Sequence, residues 1–529
     1  MPLREIARRS LDHFLPDSCR RYLSTSPSSL MIDVRRSGRC PCRFRSFSSS
    51  KKSNHDDTSK IAIAMSGGVD SSVVAYLLSQ QFNPSKNVLM GIHMTNWDYH
   101  DEATGAVETT KNDNPSKCWE QDWKDAQAVA KHLQIPLHHV SFQKEYWNDV
   151  FEPYCNQVAH NVTPNPDVDC NRWIKFGVLK DYLSKRYGID RLATGHYARL
   201  WDRGIGQDMP YCLQKCDMND PILEEYLMQS SVQHLPILLA AKDRSKDQSY
   251  FLSNVPATAF SNVLFPLGDY YKKQMNDDGT TSSSSSSADE RTVRELAQQA
   301  QLPNATKRDS MGICFVGKRK HGAFLNQYIA PSHNNHNAKL QCINIEDGSV
   351  VATVDANPSL LYATIGQGAK IPGASHKWFV VQKVVISNDK HPTLLLCSGT
   401  HHPALYSETL FICRDKLHWM MGGVPPPLPF RAKCRIRHLQ PLVDCEIDFY
   451  HDQKDKNKDY YVVRLESPLR GIAEGQVCAI YAGGSDGDLI CLGGGPINHR
   501  GPSYWELQKE LPLLLHPAGQ NDLSNTGTM

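Results

Sequence analysis

The stretch Ser66-Gly-Gly-Val-Asp-Ser-Ser72 constrains this chain more than any other, because an apolar strand candidate precedes it and an apolar helix candidate follows it. Lys60-Ile-Ala-Ile-Ala-Met65 is a β-branched run that suits a buried strand, and Val74, Leu77 and Leu78 recur at helical spacing downstream. Gly67 and Gly68 let the backbone turn without a Cβ clash, so peptide N–H groups can approach an anion. Ser66, Ser71 and Ser72 add hydroxyl donors beside a helix N-terminus, whose dipole favours negative charge. The stretch reads as a phosphate cradle. It is not the common P-loop, because no Gly-Lys-Ser/Thr follows at the required spacing.

A chain of 529 residues exceeds one hydrophobic core, and length alone predicts roughly two to four domains. Strand candidates at Val88–Met94, Pro136–Phe142 and Arg191–Thr194 alternate with helix candidates at Cys118–Leu133, Glu145–His160 and Trp173–Tyr187. That alternation predicts a doubly wound parallel sheet in an α/β domain, with its ligand at the carboxyl ends of the strands. This domain is expected over residues 56–335, with an irregular insertion at 203–242 and a serine-rich disordered loop at 277–289. Helix Arg291–Gln301 follows that loop. Beyond Leu340 helical periodicity is nearly absent. Short strand candidates take over at Leu360–Thr364, Trp378–Ile386, Thr393–Cys397, Arg431–Leu439, Tyr460–Leu465 and Gln476–Tyr481. They predict a small central β-rich domain over 336–424 and a C-terminal β-barrel over 425–515, the Pro425–Pro429 run marking the boundary and 516–529 forming a tail.

Residues 1–55 carry many arginines and serines and few acids, which resembles a mitochondrial transit peptide; a plastid address and a disordered basic tail are the alternatives. Net charge is +2, so a nucleic-acid surface must be a local patch. No apolar stretch approaches the ~18 residues of a membrane span, so no membrane role is expected. The 16 cysteines show no repeated framework, which suits a reducing compartment where most are small core residues. No metal site is expected, since Cys40-x-Cys42 and Cys212-x3-Cys216 each lack a second pair.

Two cysteines stand in distinctive settings. Asn165-Pro-Asp-Val-Asp-Cys-Asn171 reads as a rigid loop with Cys170 ahead of a helix starting near Trp173, where a thiol pKa falls toward neutrality. Ser310-Met-Gly-Ile-Cys-Phe-Val-Gly317 offers Cys314 in a glycine-flanked apolar turn. The residues alone leave each thiol open between this reading and a buried structural cysteine.

The cradle resembles the PP-loop of ATP pyrophosphatases, of the adenine nucleotide alpha hydrolase-like fold, which split ATP between its α and β phosphates. The ordered set SGGVDSS, Met94-Thr-Asn-Trp97, NPDVDCN, Ala193-Thr-Gly-His-Tyr197, Lys246-Asp-Gln-Ser-Tyr-Phe-Leu252, Gly312-Ile-Cys-Phe315 and Cys491-Leu-Gly-Gly-Gly495 resembles the tRNA-specific 2-thiouridylases, most nearly the mitochondrial branch, over about residues 60–500. The resemblance implies an enzyme that adenylates the C2 oxygen of the wobble uridine with ATP and replaces it with persulfide sulfur. It implies Cys314 as persulfide carrier, Cys170 as the nucleophile that attacks it, and Asp167 as proton-transfer residue. By the same resemblance Ala64, Met65, Ser66, Gly67, Gly68, Val69, Asp70, Ser71, Met94 and Gly195 line the ATP site, with Mg²⁺ on the phosphates. Asn165, Pro166 and Asp167 contact the flipped uracil, and His196, Lys246, Asp247 and Gln248 touch the tRNA. Implied partners are lysine, glutamate and glutamine tRNAs and a sulfur-donor protein.

Further along, Arg431, Lys433, Arg435 and Arg437 fall at every second residue, so a strand would display them as a stripe suited to an RNA backbone; a solvated strand face is the alternative. The resemblance assigns tRNA contacts to Arg437, His438 and Gln476. Rival readings are another PP-loop tRNA-modifying or adenylating enzyme, and a non-catalytic tRNA-binding relative.

Overall fold

In the computed structural model, β1 (Ser59–Ala64) forms the middle of a parallel sheet because its side chains are apolar on both faces. Ile61 and Ile63 pack with Val69, Val73, Val74 and Leu78 on one side, while Ala62 meets Met90, Ile92 and Cys170 on the other. Both isoleucines are fully buried, each contributing roughly 1.5–3 kcal/mol. The residues described are 59–81, 87–97, 116–201, 225–227, 235–272, 291–308, 321–325, 327–329, 339–355, 360, 362–384, 393–451, 458–483 and 488–512. The expected presequence, serine loop, GICF turn with Cys314 and C-terminal tail lie outside them.

Next to β1 come β2 (Asn87–Thr95) and β3 (Leu137–Ser141) on one side and β4 (Arg191–Ala193) on the other. Past β4, the chain makes the antiparallel pair β5 (Ala198–Trp201) and β6 (Ile237–Ala240), and then β7 (Val263–Leu264) closes the sheet in the order β3-β2-β1-β4-β7. Strand order reverses between β1 and β4, which opens a crevice at the carboxyl end of β1. Helices α1 (Val69–Gln81) and α2 (Ser116–His132) follow β1 and β2. The run α3 (residues 143–159) contains a π-helical turn, Trp147–Phe151.

The thiol loop is helical, contrary to expectation. Helix α4 (residues 166–187) comprises Pro166–Asp169, a π-helical stretch Cys170–Val178 and Leu179–Tyr187, so Cys170 lies inside the helix and not ahead of it. Asn165 caps it by accepting the Asp167 N–H at 3.1 Å, and Pro166 occupies the first turn, where a missing N–H costs nothing. The expected insertion also needs correction: β6 lies within 203–242, and all four of its residues are buried. Tyr226 and Leu227 are buried too, Tyr226 donating its hydroxyl to Val424 O at 2.5 Å.

The middle sheet comprises β8 (Lys339–Asn344), β9 (Val350–Asp355), β10 (Gly368–Ala369), β11 (Trp378–Val384) and β12 (Thr393–Ser398), ordered β10-β11-β12-β8-β9. Leu360–Thr364 is no strand: Ala363 N–H donates to Leu360 O at 3.2 Å, and this turn seals the sheet's small core. The barrel runs β13 (Tyr406–Cys413), β14 (His418–Trp419), β15 (Phe430–Arg435), β16 (Val443–His451), β17 (Asp459–Arg470), β18 (Val477–Ala482) and β19 (Ile490–Arg500). Six of these close in the order β13-β17-β16-β15-β18-β19, with β19 returning to β13; β14 adds to β19. The barrel thus begins well before the expected boundary at 425, because β13 pairs with strands that arrive later in the chain.

Backbone pairing of β19 with β6 joins barrel to parallel-sheet domain, and a polar clasp locks the joint. Helix α5 (Ser249–Leu252) meets the chain just past β15, where the Tyr250 hydroxyl reaches Ile436 O. Asp247, fully buried, accepts the N–H groups of Ala241 and Ser249 on Oδ1 and faces Arg435 at 3.3 Å. Arg435 lies over the Tyr481 ring, and Tyr250 donates its hydroxyl toward Ile436 O and Val477 O. The stripe of four cations therefore does not form. Lys433 pairs with Asp444 at 2.6 Å, Arg435 is covered, and the strand ends before Arg437. Asp247→Ala strands a buried guanidinium and two amides, so we expect a loss of about 3–5 kcal/mol in urea unfolding. Asp247→Leu combined with Arg435→Met is expected to recover most of it.

Candidate functional site

The turn after β1 is shaped by one glycine. Gly67 has φ +79°, and a Cβ there would stand 2.1 Å from Asp122 O on α2. The loop can lie this close to α2 only without a side chain. Ser71 Oγ donates to Gly68 O at 3.0 Å and accepts from Ser66 N at 3.2 Å, while Ser72 Oγ donates to Gly68 O at 2.9 Å. These bonds fold the loop's carbonyls inward and leave the N–H groups of the first turn of α1 at the crevice, the arrangement a polyphosphate needs. Ala64 and Met65 lead into the loop, and Met65 bonds across to β2 through Ile92 O and the His93 ring. Burial pushes the His93 pKa down. Val69 is buried beneath the loop. Met94 sits on the adjoining β2, and a Cβ on Gly195 would stand 3.1 Å from Ser71 N. The expected nucleotide-site residues thus converge on the point where strand order reverses.

Four supports of this loop come from sequence far away. Asn304 Nδ2 donates to Gly67 O at 2.9 Å and Ser72 Oγ at 3.0 Å, and Lys307 Nζ reaches Gly67 O, Asp122 and Asp125. Asp70 is held by the buried Lys272 ammonium and by the Tyr197 hydroxyl at 3.0 Å. Lys307 lies just ahead of the GICF motif, which was a usable signal; a lysine in Tyr270-Tyr-Lys-Lys273 carries none.

Cys170 is 3% exposed, at the carboxyl end of β2, with Asn96 Nδ2 directed at its sulfur from 4.0 Å. Burial raises the pKa of Asp167, opposed by Lys175, and pushes that of Asp169 up to about 6, opposed by Arg172. Cys314 lies outside the described residues, but both flanks of its segment are placed. Lys307 is fixed to Gly67 O, and His321, at the start of α7 (His321–Leu325), meets the Tyr154 hydroxyl at 2.5 Å. Seven residues separate Cys314 from each anchor, within about 25 Å of extended chain.

Several residues expected to touch RNA make bonds within the protein. His196 faces Thr194 Oγ1 through Nδ1 at 2.7 Å and Asn171 Oδ1 through Nε2 at 3.2 Å; burial holds its pKa well below the usual value, so the ring is neutral. Gln248 exchanges bonds with the Tyr197 backbone, and Asp247 belongs to the clasp. His438 bonds Asp247 O and lies against Phe251. Arg437 donates to Gly471 O at 2.7 Å, Ile365 O at 3.2 Å and Gln476 Oε1 at 3.3 Å, tying the middle sheet to the barrel. Lys246 is half-buried near this joint. Among the described residues no cluster of His, Cys, Asp or Glu suits a metal ion, and no helix is long and apolar enough to cross a membrane.

Comparison with known proteins agrees with this architecture. Residues 59–283 and 285–318 match the family profile of the tRNA methyl transferase HUP domain, and residues 411–497 match the aminomethyltransferase beta-barrel domain. The mouse mitochondrial tRNA-specific 2-thiouridylase 1 is 34% identical over 456 residues, covering 85% of this chain and 93% of that protein. Its human counterpart is 34% identical over 459 residues, covering 85% and 92%. The tRNA-specific 2-thiouridylase MnmA of Coxiella burnetii (strain CbuG_Q212) is 33% identical over 460 residues, covering 85% and 99%. A solved U34-tRNA thiolase from Methanococcus maripaludis is 17% identical over 49% of this chain and 62% of that one, at a TM-score of 0.23, too low to bear on geometry. With both domains matched in order and whole-length relatives a third identical, the chain belongs to the tRNA-specific 2-thiouridylase family.

Proposed function

We infer that this protein is a tRNA sulfurtransferase that replaces the C2 oxygen of the wobble uridine with sulfur at the expense of ATP. The observation that carries the reading is the bridge at the end of β4, where Gly195 touches the phosphate loop at Ser71 and His196 fixes Asn171, the neighbour of Cys170. One crevice thereby serves both a nucleotide and a thiol. ATP phosphates lie on Gly67, Gly68 and the first turn of α1. Mg²⁺ bound with ATP would neutralise the charge of those phosphates. Attack by the uracil C2 oxygen on the α-phosphate releases pyrophosphate and turns a poor leaving group into AMP.

Sulfur arrives as a persulfide on Cys314, loaded by a donor protein. The Cys170 thiolate attacks the Cys314 sulfur, a disulfide forms, and hydrosulfide leaves; hydrosulfide then adds at C2 and expels AMP. A thiol reductant must supply two electrons to reopen the disulfide. Asn165, Pro166 and Asp167 face the flipped base, and burial, which raises the pKa of Asp167, favours its holding a proton to pass on. Lys246 reaches toward the RNA backbone. Arg437, His438 and Gln476, together with Asp247 and Gln248, act on RNA binding by fixing the angle between domains. The basic, serine-rich residues 1–55 and the mouse and human relatives support delivery to mitochondria. Lysine, glutamate and glutamine tRNAs are the proposed acceptors. The Cys170 thiol at the carboxyl end of β2, with Cys314 in the GICF motif of the sequence, favours sulfur transfer over an amidating PP-loop enzyme.

Nucleoside mass spectrometry after incubation with tRNA, ATP and a persulfide donor is expected to show 2-thiouridine. Cys170→Ser is expected to abolish that product while tRNA-dependent pyrophosphate release continues; loss of both activities together would sink the assignment of Cys170 to the sulfur step. For Gly67→Ala the clash with Asp122 O predicts at least a hundredfold fall in pyrophosphate release, about 2.7 kcal/mol of lost transition-state stabilisation, with the thiols intact.

A further inference from the structure

Helix α4 carries a lysine that none of these steps uses. Lys175 sits in the π-helical stretch, where Leu179 N–H donates to Ile174 O, five residues back. In an α-helix, residues five apart point about 140° from each other. In an i→i+5 helix that angle is much smaller, and the two residues are neighbours across one hydrogen-bonded turn. The wider coil therefore turns Lys175 round to the side of Cys170, five residues before it. Two groups that flank the thiol register its charge: Lys175 pulls the Asp167 pKa down against burial, and it pushes His196 further down. Lys175 makes no ion pair with any of the described residues.

We propose that Lys175 is a positioning residue for sulfur transfer, its ammonium holding the Cys170 sulfur in the thiolate form. The proposal rests on the sulfurtransferase reading and specifies how its nucleophile is prepared; the thiol proton passes to water. Among the described residues, the other charged groups near Cys170 are acids or are held away from a positive charge at the sulfur. On the same helix, Asp167 and Asp169 oppose a thiolate when ionised, and the Arg172 charge acts on Asp169 and stacks over Trp173. From the end of β4 comes His196, held neutral by burial. Tyr154 of α3 faces Asp167 with its phenol pKa raised, and its partner His321 is also pushed toward neutrality. Cys155, beside Tyr154, has its thiol pushed up to about 12. Asn96 from β2 adds an uncharged donor to the sulfur. A nearby ammonium is a known means of lowering a thiol pKa.

The test uses the full-length protein without tRNA or ATP. The rate of iodoacetamide alkylation at Cys170, followed by peptide mass spectrometry between about pH 6 and pH 10, gives the thiol midpoint. Lys175→Gln and Lys175→Met are expected to raise that midpoint by about one pH unit, a tenfold loss of thiolate near pH 7, and Lys175→Arg to restore it. The rate of 2-thiouridine formation in Lys175→Gln is expected to climb toward that of the parent as pH rises. Thermal unfolding of each variant verifies folding. An unchanged midpoint in folded Lys175→Gln and Lys175→Met overturns the proposal, as does failure of Lys175→Arg to restore it or a changed KM for tRNA with an unchanged midpoint. If the parent makes no 2-thiouridine the functional reading fails, while the alkylation midpoints still decide the role of the lysine.

Discussion

The close approach of Gly67 to the backbone of α2 is the constraint to which the rest of the catalytic half conforms. A loop that presents its N–H groups to an anion must hide its carbonyls, and here Gly67 O is taken by Asn304 and Lys307, and Gly68 O by Ser71 and Ser72. Each partner adds a demand. Lys307 requires Asp122 and Asp125 to balance it, and Asn304 requires α6 (Val293–Gln299) to pack on α1 so that the following turn reaches the loop. The capping box of Thr292 and Glu295 starts α6 in the register that makes this possible. Asp70, which would repel a polyphosphate, is balanced by Lys272 and Tyr197. A phosphate site thus draws on residues from three distant parts of the chain.

The barrel is fixed to this domain by groups that have no freedom to serve elsewhere. Main-chain pairing of β19 with β6 sets the register, and Gly494 lets the surfaces close. A Cβ at Gly494 would meet Ser253 Oγ at 2.5 Å, while one at Gly493 would meet His418 O of β14, within the barrel, at 2.1 Å. A further contact matters more to the site. Thr163 N–H donates to Glu474 O, and a Cβ at Gly475 would strike Val162, so the segment leading into α4 lies directly on the barrel. Any shift of the barrel would therefore move Asn165, the cap of the thiol helix.

The sequence made the parallel sheet legible because β1 and β2 are continuous apolar runs and the glycine turn between strand and helix has one physical purpose. The residues expected at the nucleotide site come together in the structure for the same reason: they are local to strand ends. What escaped was non-local or depended on context. The cations at 431–437 alternate as a surface stripe should, yet a strand's outer face is exposed only if nothing covers it, and Arg435 is buried against Asp247 and the Tyr481 ring. β6 was hidden because four apolar residues after a long irregular stretch carry no periodicity, and its partners β5 and β19 lie far apart in the chain. Pro166 read as a loop residue, although proline is equally at home in a first helical turn.

Most instructive is the π-helical stretch of α4, which no propensity scale would forecast. Its apolar residues Ile174 and Phe176 must meet the parallel sheet, while Asn171 must meet His196 and Phe251 O. At 100° per residue an α-helix spreads Cys170, Asn171, Ile174 and Phe176 over more than half a turn. Widening the coil meets both demands, at the cost of weaker helical hydrogen bonding. The π-turn Trp147–Phe151 in α3 packs against this stretch, and its Trp147 and Phe151 rings gather Trp97, Phe324 and Tyr328 into one aromatic cluster. That cluster anchors α7, the described element that follows Cys314, to the end of β2 where Cys170 lies. Irregular helix geometry at two places thus brings the surroundings of both sulfur-bearing segments to one end of the parallel sheet.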